Sequence, residues 1–154
     1  MIRPYTKMPK TMDVQLEWSD GLKFAATSGS KHQIILDGSL DHGGSDSGLR
    51  PMEALLSSLG SCTGMDLATI LRKKKRKLNQ LKISLHGERA AVHPHVFTKI
   101  TMEYLIWGDD ITDADVQWAL DLSLNKYCSV AAMLKQCCDV NYKWRIHKKG
   151  TKGK

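Results

Sequence analysis

The longest regular pattern of apolar positions along the chain runs from residue 51 to residue 71. Apolar side chains recur there every three or four residues, at Leu55, Leu56, Leu59, Cys62, Ile70 and Leu71. Pro51 suits a first helical turn because its missing N–H would have no partner there, and Glu53 faces the positive end of the helix dipole. The pattern therefore predicts a long, mostly buried helix that begins at Pro51.

Small residues share this segment with the apolar ones, at Ser57, Ser58, Gly60, Ser61 and Gly64. A surface helix seldom needs so many positions at which another backbone can approach closely. We expect the helix to be covered on more than one side, with Cys62 in a confined apolar pocket and a partner subunit supplying part of the cover. A homodimer is the simplest closed assembly of this kind.

Alternation of apolar and polar residues predicts six strands. Two of them, 14–18 and 22–26, flank the turn residues 19–21 as a hairpin, and the others are 32–36, 78–89, 98–107 and 140–146. Residues 39–48, rich in Gly, Ser and Asp, predict a mobile loop that leads into the long helix.

Two shorter helices complete the chain. Thr112 or Asp113 is a suitable cap for the first, and Ser129 follows Cys128 at the start of the second. The order βββ–α–ββ–α–α–β predicts an α+β fold with antiparallel sheets packed around a long central helix. A length of 154 residues fits one domain over 1–154, with a core at 14–146 and a disordered basic tail at 147–154.

The N-terminus lacks an apolar run of signal-peptide length, and no window approaches the roughly 18 apolar residues of a membrane span. We expect a cytoplasmic protein that does not bind membranes. A chain of this size does not need its four cysteines as disulfide staples, at Cys62, Cys128, Cys137 and Cys138. Their chemistry, if any, is expected to be redox or metal binding.

The net charge of +7 raises the question of nucleic-acid binding. Ten of the 23 Lys and Arg residues lie in two short segments, 72–77 and 148–154, and the other 13 are outnumbered by 16 acidic residues. We interpret the first segment as the solvated end of the long helix, where cations suit the dipole. Nucleic acid is therefore not the expected partner.

Two cysteines occupy positions at which a thiol could react. Cys128 precedes a short helix, and helix N-termini lower thiol pKa values, whereas Cys62 lies inside a helix and would need a nearby cation or a helix restart near Gly60. The residues alone do not choose between them. Both could also be packing residues, as free cysteines often are.

Metal-ligand spacings are absent from the sequence. Cys128, Cys137 and Cys138 contain no CxxC pair, and His93-Pro94-His95 is an isolated HxH, so we expect no metal and no bound cofactor. The adjacent Cys137 and Cys138 are placed at the start of a strand, where they would point to opposite faces. No phosphate-binding glycine loop, GxSxG or HExxH motif occurs.

Two cysteine motifs stand out: PMEALL at 51–56 with GSC at 60–62 and MD at 65–66, and KYCSV at 126–130. They resemble the motifs of the OsmC/organic hydroperoxide resistance superfamily, in its OsmC-like branch. The order of the predicted elements agrees with the resemblance, which extends over about 14–146.

The resemblance implies an OsmC-like fold, an intertwined homodimer and a thiol-dependent peroxidase that reduces organic hydroperoxides or hydrogen peroxide in oxidative stress defence. By correspondence Cys62 is the peroxidatic thiolate and Cys128 the resolving thiol, and the two form a disulfide. An external thiol, such as a dihydrolipoyl group or another dithiol, would reduce that disulfide. The position that is acidic in the hydroperoxide-resistance proteins is Met52 here, so Glu53 and Arg50 are the candidates for supporting Cys62, with Glu53 acting across the dimer.

A second hypothesis keeps the fold without the reaction. In it the protein is non-catalytic or weakly active and binds a small apolar or thiol-containing ligand at the dimer interface. The absence of a matching arginine–glutamate pair favours this alternative. The reactivity of the two cysteines toward peroxide separates the two hypotheses.

Overall fold

The computed structural model describes residues 11–148 and separates the chain into two compact units, Met1–Ala54 and Leu55–Lys154. The α+β class predicted from the element order is confirmed. A single domain over 1–154 stays a prediction. Each unit contains its own three-stranded sheet.

The first unit contains β1 (Val14–Asp20), β2 (Lys23–Ser28) and β3 (Gln33–Leu36), paired antiparallel in that order. Gly21 has a φ of 49° in the turn between β1 and β2, a left-handed conformation that glycine adopts without a steric penalty. The predicted hairpin is therefore present. All seven residues of β1 are exposed.

The segment that precedes the long helix is organised by the buried carboxylate of Asp37. Its oxygens accept hydrogen bonds from the backbone N–H groups of Ser45 (3.1 Å) and Ser47 (3.0 Å) and from both serine hydroxyls (2.7 and 2.9 Å). These bonds, with that of the Ser45 hydroxyl first, hold the pKa of Asp37 well below its usual range. The loop predicted as mobile is thus tied to one side chain, which the composition of the loop did not indicate.

The long helix, α1, runs from Pro51 to Lys73 and begins at the predicted residue. Its buried residues follow the helical period: Leu59, Gly60, Thr63, Gly64, Leu67, Ile70 and Leu71. A Cβ at Gly60 would come within 2.6 Å of Leu85 Cδ1, and one at Gly64 within 2.7 Å of Ile83 Cδ1. These two glycines therefore permit close packing within the chain and need no partner subunit to explain them.

The second unit contains β4 (Gln80–Arg89), β5 (Phe97–Trp107) and β6 (Asp139–His147) in the order β4-β5-β6. Strands β4 and β5 are antiparallel, but β6 is parallel to β5. The prediction of wholly antiparallel sheets is wrong for this pair. The connection from β5 to β6 passes through two helices, and a crossover of that length allows the chain to return in the same direction.

Helix α2 (Asp113–Leu122) begins at Thr112, one of the two predicted caps. The Thr112 hydroxyl accepts from the Asp115 N–H while the Asp115 carboxylate accepts from the Thr112 N–H, which is a capping box. A π-helical segment, Ser123–Tyr127, follows directly, and α3 (Ser129–Leu134) follows that. No sequence signal predicted the π-helical turn.

The basic segment after α1 is partly neutralised within the chain. Lys74 Nζ and Arg76 Nε lie 2.6 and 2.8 Å from the carboxylate of Asp115, whose side chain is 3% exposed, and the Lys74 ammonium also lies over the Trp118 ring. The prediction that the whole segment is solvated is therefore wrong for Lys74 and Arg76, which form ion pairs. The sequence predicts that Lys148 belongs to the disordered tail, but its ammonium donates to the carbonyl oxygen of Asp109. Residues 149–154 of the predicted tail lie outside the described residues.

Helix α1 is long and apolar enough to cross a membrane by length and composition alone. No such window was expected from the sequence. The buried core helix of a water-soluble domain satisfies the same criterion, so the observation is weak evidence for a membrane span.

Asp115 provides a stability test of this arrangement. Asp115→Asn removes both ion pairs while keeping the side-chain volume, and we expect it to lower the free energy of unfolding by about 2–3 kcal/mol. Lys74, with Thr112 and Arg76, lowers the pKa of Asp115, so the folded state favours the charged form. The difference between wild type and variant should be complete above about pH 5 and shrink as the pH falls below about 4. Urea unfolding at pH 7 and pH 3 measures both effects, and an equal loss at the two pH values would contradict the ion-pair account. Asp41→Asn, at an exposed carboxylate, is the control.

Candidate redox site

Two cysteines that are far apart in the sequence meet in the second unit. Cys62 lies in the middle of α1, and Cys128 is the N-cap residue of α3. Their sulfurs are 2.6 Å apart as free thiols, with Cys128 donating to Cys62. A disulfide bond is about 2.05 Å long, so closing it requires an approach of only about half an ångström. The arrangement is suited to reversible disulfide formation.

The position of Cys128 depends on the π-helical segment that precedes it. The Cys128 N–H donates to the carbonyl oxygen of Ser123 at 2.8 Å, a bond that spans five residues. Single π-helical turns of this kind are frequent at functional sites because the extra residue redirects the side chains that follow. Here the turn ends α2 and presents Cys128 at the start of α3.

A second contact joins the same two parts of the chain. The Ser123 hydroxyl donates to Asp66 Oδ2 at 2.8 Å, and Ser123 is fully buried. Asp66 follows Cys62 by four residues and lies on the same face of α1. One turn of α1 therefore carries Cys62, which faces Cys128, and Asp66, which faces Ser123. The hydrogen bond between Ser123 and Asp66 holds the two sulfurs together from one helical turn away.

Burial separates the two thiols. Cys128 is 2% exposed, whereas Cys62 is half-buried. Burial, and secondarily the hydrogen bond to Cys62, raises the pKa of Cys128 to about 11, although the Ala131 N–H donates to its sulfur at 3.3 Å. The start of α3 therefore does not make Cys128 a thiolate at neutral pH, because desolvation outweighs the backbone N–H contacts of Ala131 and Val130.

The alternative route to activating Cys62 through a helix restart is also settled. Helix α1 continues without interruption through Gly60 and Cys62, so no new helix N-terminus faces the Cys62 sulfur. Of the two ways that the sequence left open for making Cys62 a thiolate, a helix restart is therefore excluded and a nearby cation remains.

A series of buried hydrogen bonds holds Thr63, the residue that follows Cys62 in α1. The Tyr104 hydroxyl donates to Thr63 Oγ1 at 2.8 Å, and the Thr63 hydroxyl donates to the carbonyl oxygens of Leu59 and Gly60. Burial raises the pKa of Tyr104 to about 12, so the phenol stays neutral and acts as a donor. These hydrogen bonds tie α1 to β5 at the residue next to Cys62.

A groove of about 560 Å³ is lined by residues that neighbour the two cysteines in the sequence. Its lining includes Asp66, one turn after Cys62, and Tyr127, immediately before Cys128, together with Ile70, Trp118 and Leu122. Trp118 and Tyr127 are each about half exposed, at 48% and 51%. The groove can receive the apolar part of a small molecule.

The two predicted supporting residues belong to the first unit. The Arg50 N–H donates to Glu53 Oε2 at 2.9 Å, which caps the first turn of α1, and the Arg50 guanidinium donates to the Gly48 carbonyl oxygen and pairs with Asp46. Both residues thus organise the start of the helix. Their support of Cys62 stays a prediction.

Sequence reasoning missed Asp66, Ser123, Thr63 and Tyr104. Asp66 carried a usable signal, since an acid four residues after a cysteine on an apolar helix face needs a polar partner when it is buried. Ser123, Thr63 and Tyr104 carried none, because their roles depend on the π-helical turn and on strand register. Among residues 11–148, no group of three or more His, Cys, Asp or Glu side chains is arranged to hold a metal ion.

Comparisons with known proteins agree with this fold. A family model described as OsmC-like protein matches residues 44–143. Protein YhfA of Escherichia coli strain K12 is 35% identical over 135 residues, which cover 88% of this chain and 98% of YhfA.

Solved structures give the same result. A hypothetical protein from Aquifex aeolicus VF5 is 32% identical with a TM-score of 0.81, covering 92% of this chain and 99% of that chain. An organic hydroperoxide resistance protein from Legionella pneumophila, 11% identical with a TM-score of 0.67 over 90% of this chain and 98% of that chain, shares the fold alone. The match to the family model and the extent of the YhfA relative show that the chain belongs to the OsmC-like family.

Proposed function

We propose that this protein is a cytoplasmic thiol-dependent peroxidase that reduces organic hydroperoxides or hydrogen peroxide in oxidative stress defence. The observation that carries the proposal is the 2.6 Å separation of two free cysteine sulfurs that belong to different elements. Membership of a family that includes organic hydroperoxide resistance proteins among its structural neighbours supports it.

Cys62 performs the first step. Its thiolate attacks one oxygen of the O–O bond, a sulfur–oxygen bond forms, the O–O bond breaks, and the leaving alkoxide takes a proton to become an alcohol, or water when the substrate is hydrogen peroxide. The product on the protein is a sulfenic acid at Cys62. The greater exposure of Cys62 supports this assignment, because the peroxide must reach the attacking sulfur.

Cys128 performs the second step. Its sulfur attacks the sulfur of the sulfenic acid, the S–OH bond breaks, and the hydroxyl group leaves as water with the Cys128 proton. The 2.6 Å separation of the sulfurs supports Cys128 as the second thiol, and its proton passes to the departing hydroxyl as the S–S bond forms. The resulting Cys62–Cys128 disulfide protects the sulfenic acid from further oxidation.

An external dithiol closes the cycle. One of its sulfurs attacks the protein disulfide to form a mixed disulfide, and its second sulfur then releases both protein thiols in the reduced state. A dihydrolipoyl group or a similar dithiol fits this step because it forms its own internal disulfide as it leaves. No bound cofactor takes part.

The half-exposed aromatic groove is the proposed site for the organic part of the substrate. Trp118 and Tyr127 supply apolar faces, and Asp66 places the groove within one turn of Cys62 on α1. A substrate with an alkyl or aromatic group would gain binding energy there that hydrogen peroxide cannot. The proposal therefore favours organic hydroperoxides.

The homodimer belongs to the same proposal. In the first unit, β1 leaves Val14, Leu16 and Trp18 exposed by 60%, 54% and 64%, which is a large apolar surface for one strand. In the second unit, Ser57, Ser61 and Met65 of α1 line a separate groove of about 430 Å³ with side chains of β4. A second copy of the chain would cover these surfaces.

The two cysteines should respond differently to substitution. Cys62→Ser should reduce peroxide consumption to the background rate, because a neutral serine hydroxyl is a poor nucleophile toward an O–O bond. Cys128→Ser should still consume one equivalent of cumene hydroperoxide but lose turnover with a dithiol, while trapping of a sulfenic acid by dimedone increases. Stopped-flow consumption assays and intact-protein mass measure these outcomes.

Two results would contradict this assignment. A reactive Cys62→Ser variant together with an unreactive Cys128→Ser variant would reverse the roles of the two thiols. Unchanged reactivity in both variants would remove the peroxidase and favour the non-catalytic ligand-binding alternative. Cys137→Ser, at an exposed cysteine, is the matched control and should retain full activity.

The hydrogen bond between Ser123 and Asp66 should govern the second step alone. Ser123→Ala removes a bond to a carboxylate, and we expect disulfide closure to slow by about tenfold, the effect of roughly 1.4 kcal/mol, while the first attack keeps its rate. Ser58→Ala, at an exposed residue of the same helix, should change neither rate. Equal slowing of both steps in Ser123→Ala would indicate general loss of structure instead of positioning.

The dimer can be tested on the exposed face of β1. Leu16→Glu places a charge on that face and should convert a dimer to a monomer at micromolar concentration in sedimentation experiments. Glu17→Lys alters the opposite face of the same strand and is the control, because successive strand residues point to opposite sides. A wild-type protein that sediments as a monomer would remove this part of the proposal.

A further inference from the structure

The adjacent cysteines Cys137 and Cys138 direct their thiols to one point. Cys137 Sγ and Cys138 Sγ lie 3.2 and 3.3 Å from the carbonyl oxygen of Leu134. Both sulfurs contact the same oxygen, so the two thiols converge on one point, and Cys137 is also among the groups that raise the pKa of Cys138. The pair therefore presents two neighbouring sulfurs on the same side of the backbone.

The local backbone explains this convergence. The N–H groups of Cys137 and Cys138 both donate to the Leu134 carbonyl oxygen, each at 3.0 Å, so the chain curls around the end of α3. Strand β6 begins only at Asp139. The prediction that these cysteines begin a strand and point to opposite faces is therefore wrong, because the turn brings them to the same side.

The surroundings restrict what such a pair can bind. A structural zinc ion needs four ligands, and among residues 11–148 no third and fourth His, Cys, Asp or Glu side chain joins the two thiols in a metal-binding group. The site must therefore suit a ligand that is satisfied by two sulfurs. Cys137 is exposed and Cys138 is half-buried, so a small solute can reach the pair.

A disulfide between the two is disfavoured by covalent geometry. Within the described residues the only cis peptide bond is His93–Pro94, so Cys137 and Cys138 are joined by a trans peptide. Consecutive Cα atoms across a trans bond are about 3.8 Å apart, below the roughly 4.4–6.8 Å that disulfides usually span. A bridging atom between the sulfurs avoids this restriction, because the sulfurs need not approach to bonding distance.

We propose that Cys137 and Cys138 form a two-thiol site that binds trivalent arsenic compounds. Thiol sulfur is a soft ligand that prefers soft, thiophilic centres. Each thiol replaces one hydroxyl on arsenic: an As–S bond forms, an As–OH bond breaks, and the thiol proton leaves with the hydroxyl as water. Arsenic stays trivalent, so the reaction needs no oxidant or reductant.

The state of the thiols is compatible with this reaction. Burial raises the pKa of Cys138, so its thiol is neutral at physiological pH. Condensation with an As–OH group consumes a neutral thiol directly and does not require a preformed thiolate. This site is separate from the Cys62–Cys128 pair and does not depend on the proposed peroxidase activity.

The test uses the full chain with Cys62→Ser and Cys128→Ser, so that Cys137 and Cys138 are the only cysteines left. Phenylarsine oxide takes up one water to give two As–OH groups, and the two thiols then release two waters. One equivalent should therefore give a single adduct whose mass is that of the protein plus the oxide less one water. The adduct should survive excess 2-mercaptoethanol, a monothiol, and be removed by the dithiol dimercaprol. Mass spectrometry after tryptic digestion should locate the adduct on peptide 136–143, which contains both cysteines and no others.

Further substitution in the same background shows whether both sulfurs bind. Cys137→Ser should weaken the adduct by about 10²-fold or more, because the second bond is then no longer intramolecular. Cys137→Ala repeats the measurement at this exposed position without a hydroxyl, and circular dichroism verifies the fold. Failure to form the adduct, or an adduct of unchanged affinity in both Cys137 variants, would overturn the proposal.

Discussion

The candidate site depends on the contact between one turn of α1 and the π-helical segment after α2. That contact consists of two interactions one helical turn apart, the Cys62–Cys128 sulfur pair and the Ser123–Asp66 hydrogen bond. A regular α-helix through residues 123–127 would lack the five-residue bond from the Cys128 N–H to the Ser123 carbonyl oxygen and would present a different face to α1. The irregular turn is therefore the feature that brings two remote cysteines to reacting distance.

Burial then gives these cysteines unequal chemistry. Cys128 has a helix N–H directed at its sulfur, which favours a thiolate, but desolvation is the larger effect and raises its pKa to about 11. Cys62 has more exposure and a groove within one turn of it. A two-cysteine peroxidase would use the half-buried, more accessible thiol first and the buried thiol second, and the proposal rests on that asymmetry together with the sulfur distance.

The sequence predicted the elements better than the contacts between them. The start of α1 at Pro51, the hairpin and the Thr112 cap were predictable because each depends on local chemistry, and the family followed from two short cysteine motifs. The parallel pairing of β6, the ion pairs of Asp115 with Lys74 and Arg76, and the π-helical turn were not predictable, because each depends on which distant residues meet. The same reason explains Cys137 and Cys138: strand alternation placed them on opposite faces, whereas bonds to Leu134 place them together.

The most direct measurement is peptide mapping of the fully reduced wild-type protein after one equivalent of an organic hydroperoxide, under non-reducing conditions. The account predicts one disulfide per chain, joining the peptide that contains Cys62 to tryptic peptide 127–135, which contains Cys128. Reopening of this bond by a dithiol should restore both peptides. Oxidation that leaves Cys62 and Cys128 as thiols, or that joins either of them to Cys137 or Cys138 instead, would contradict the account.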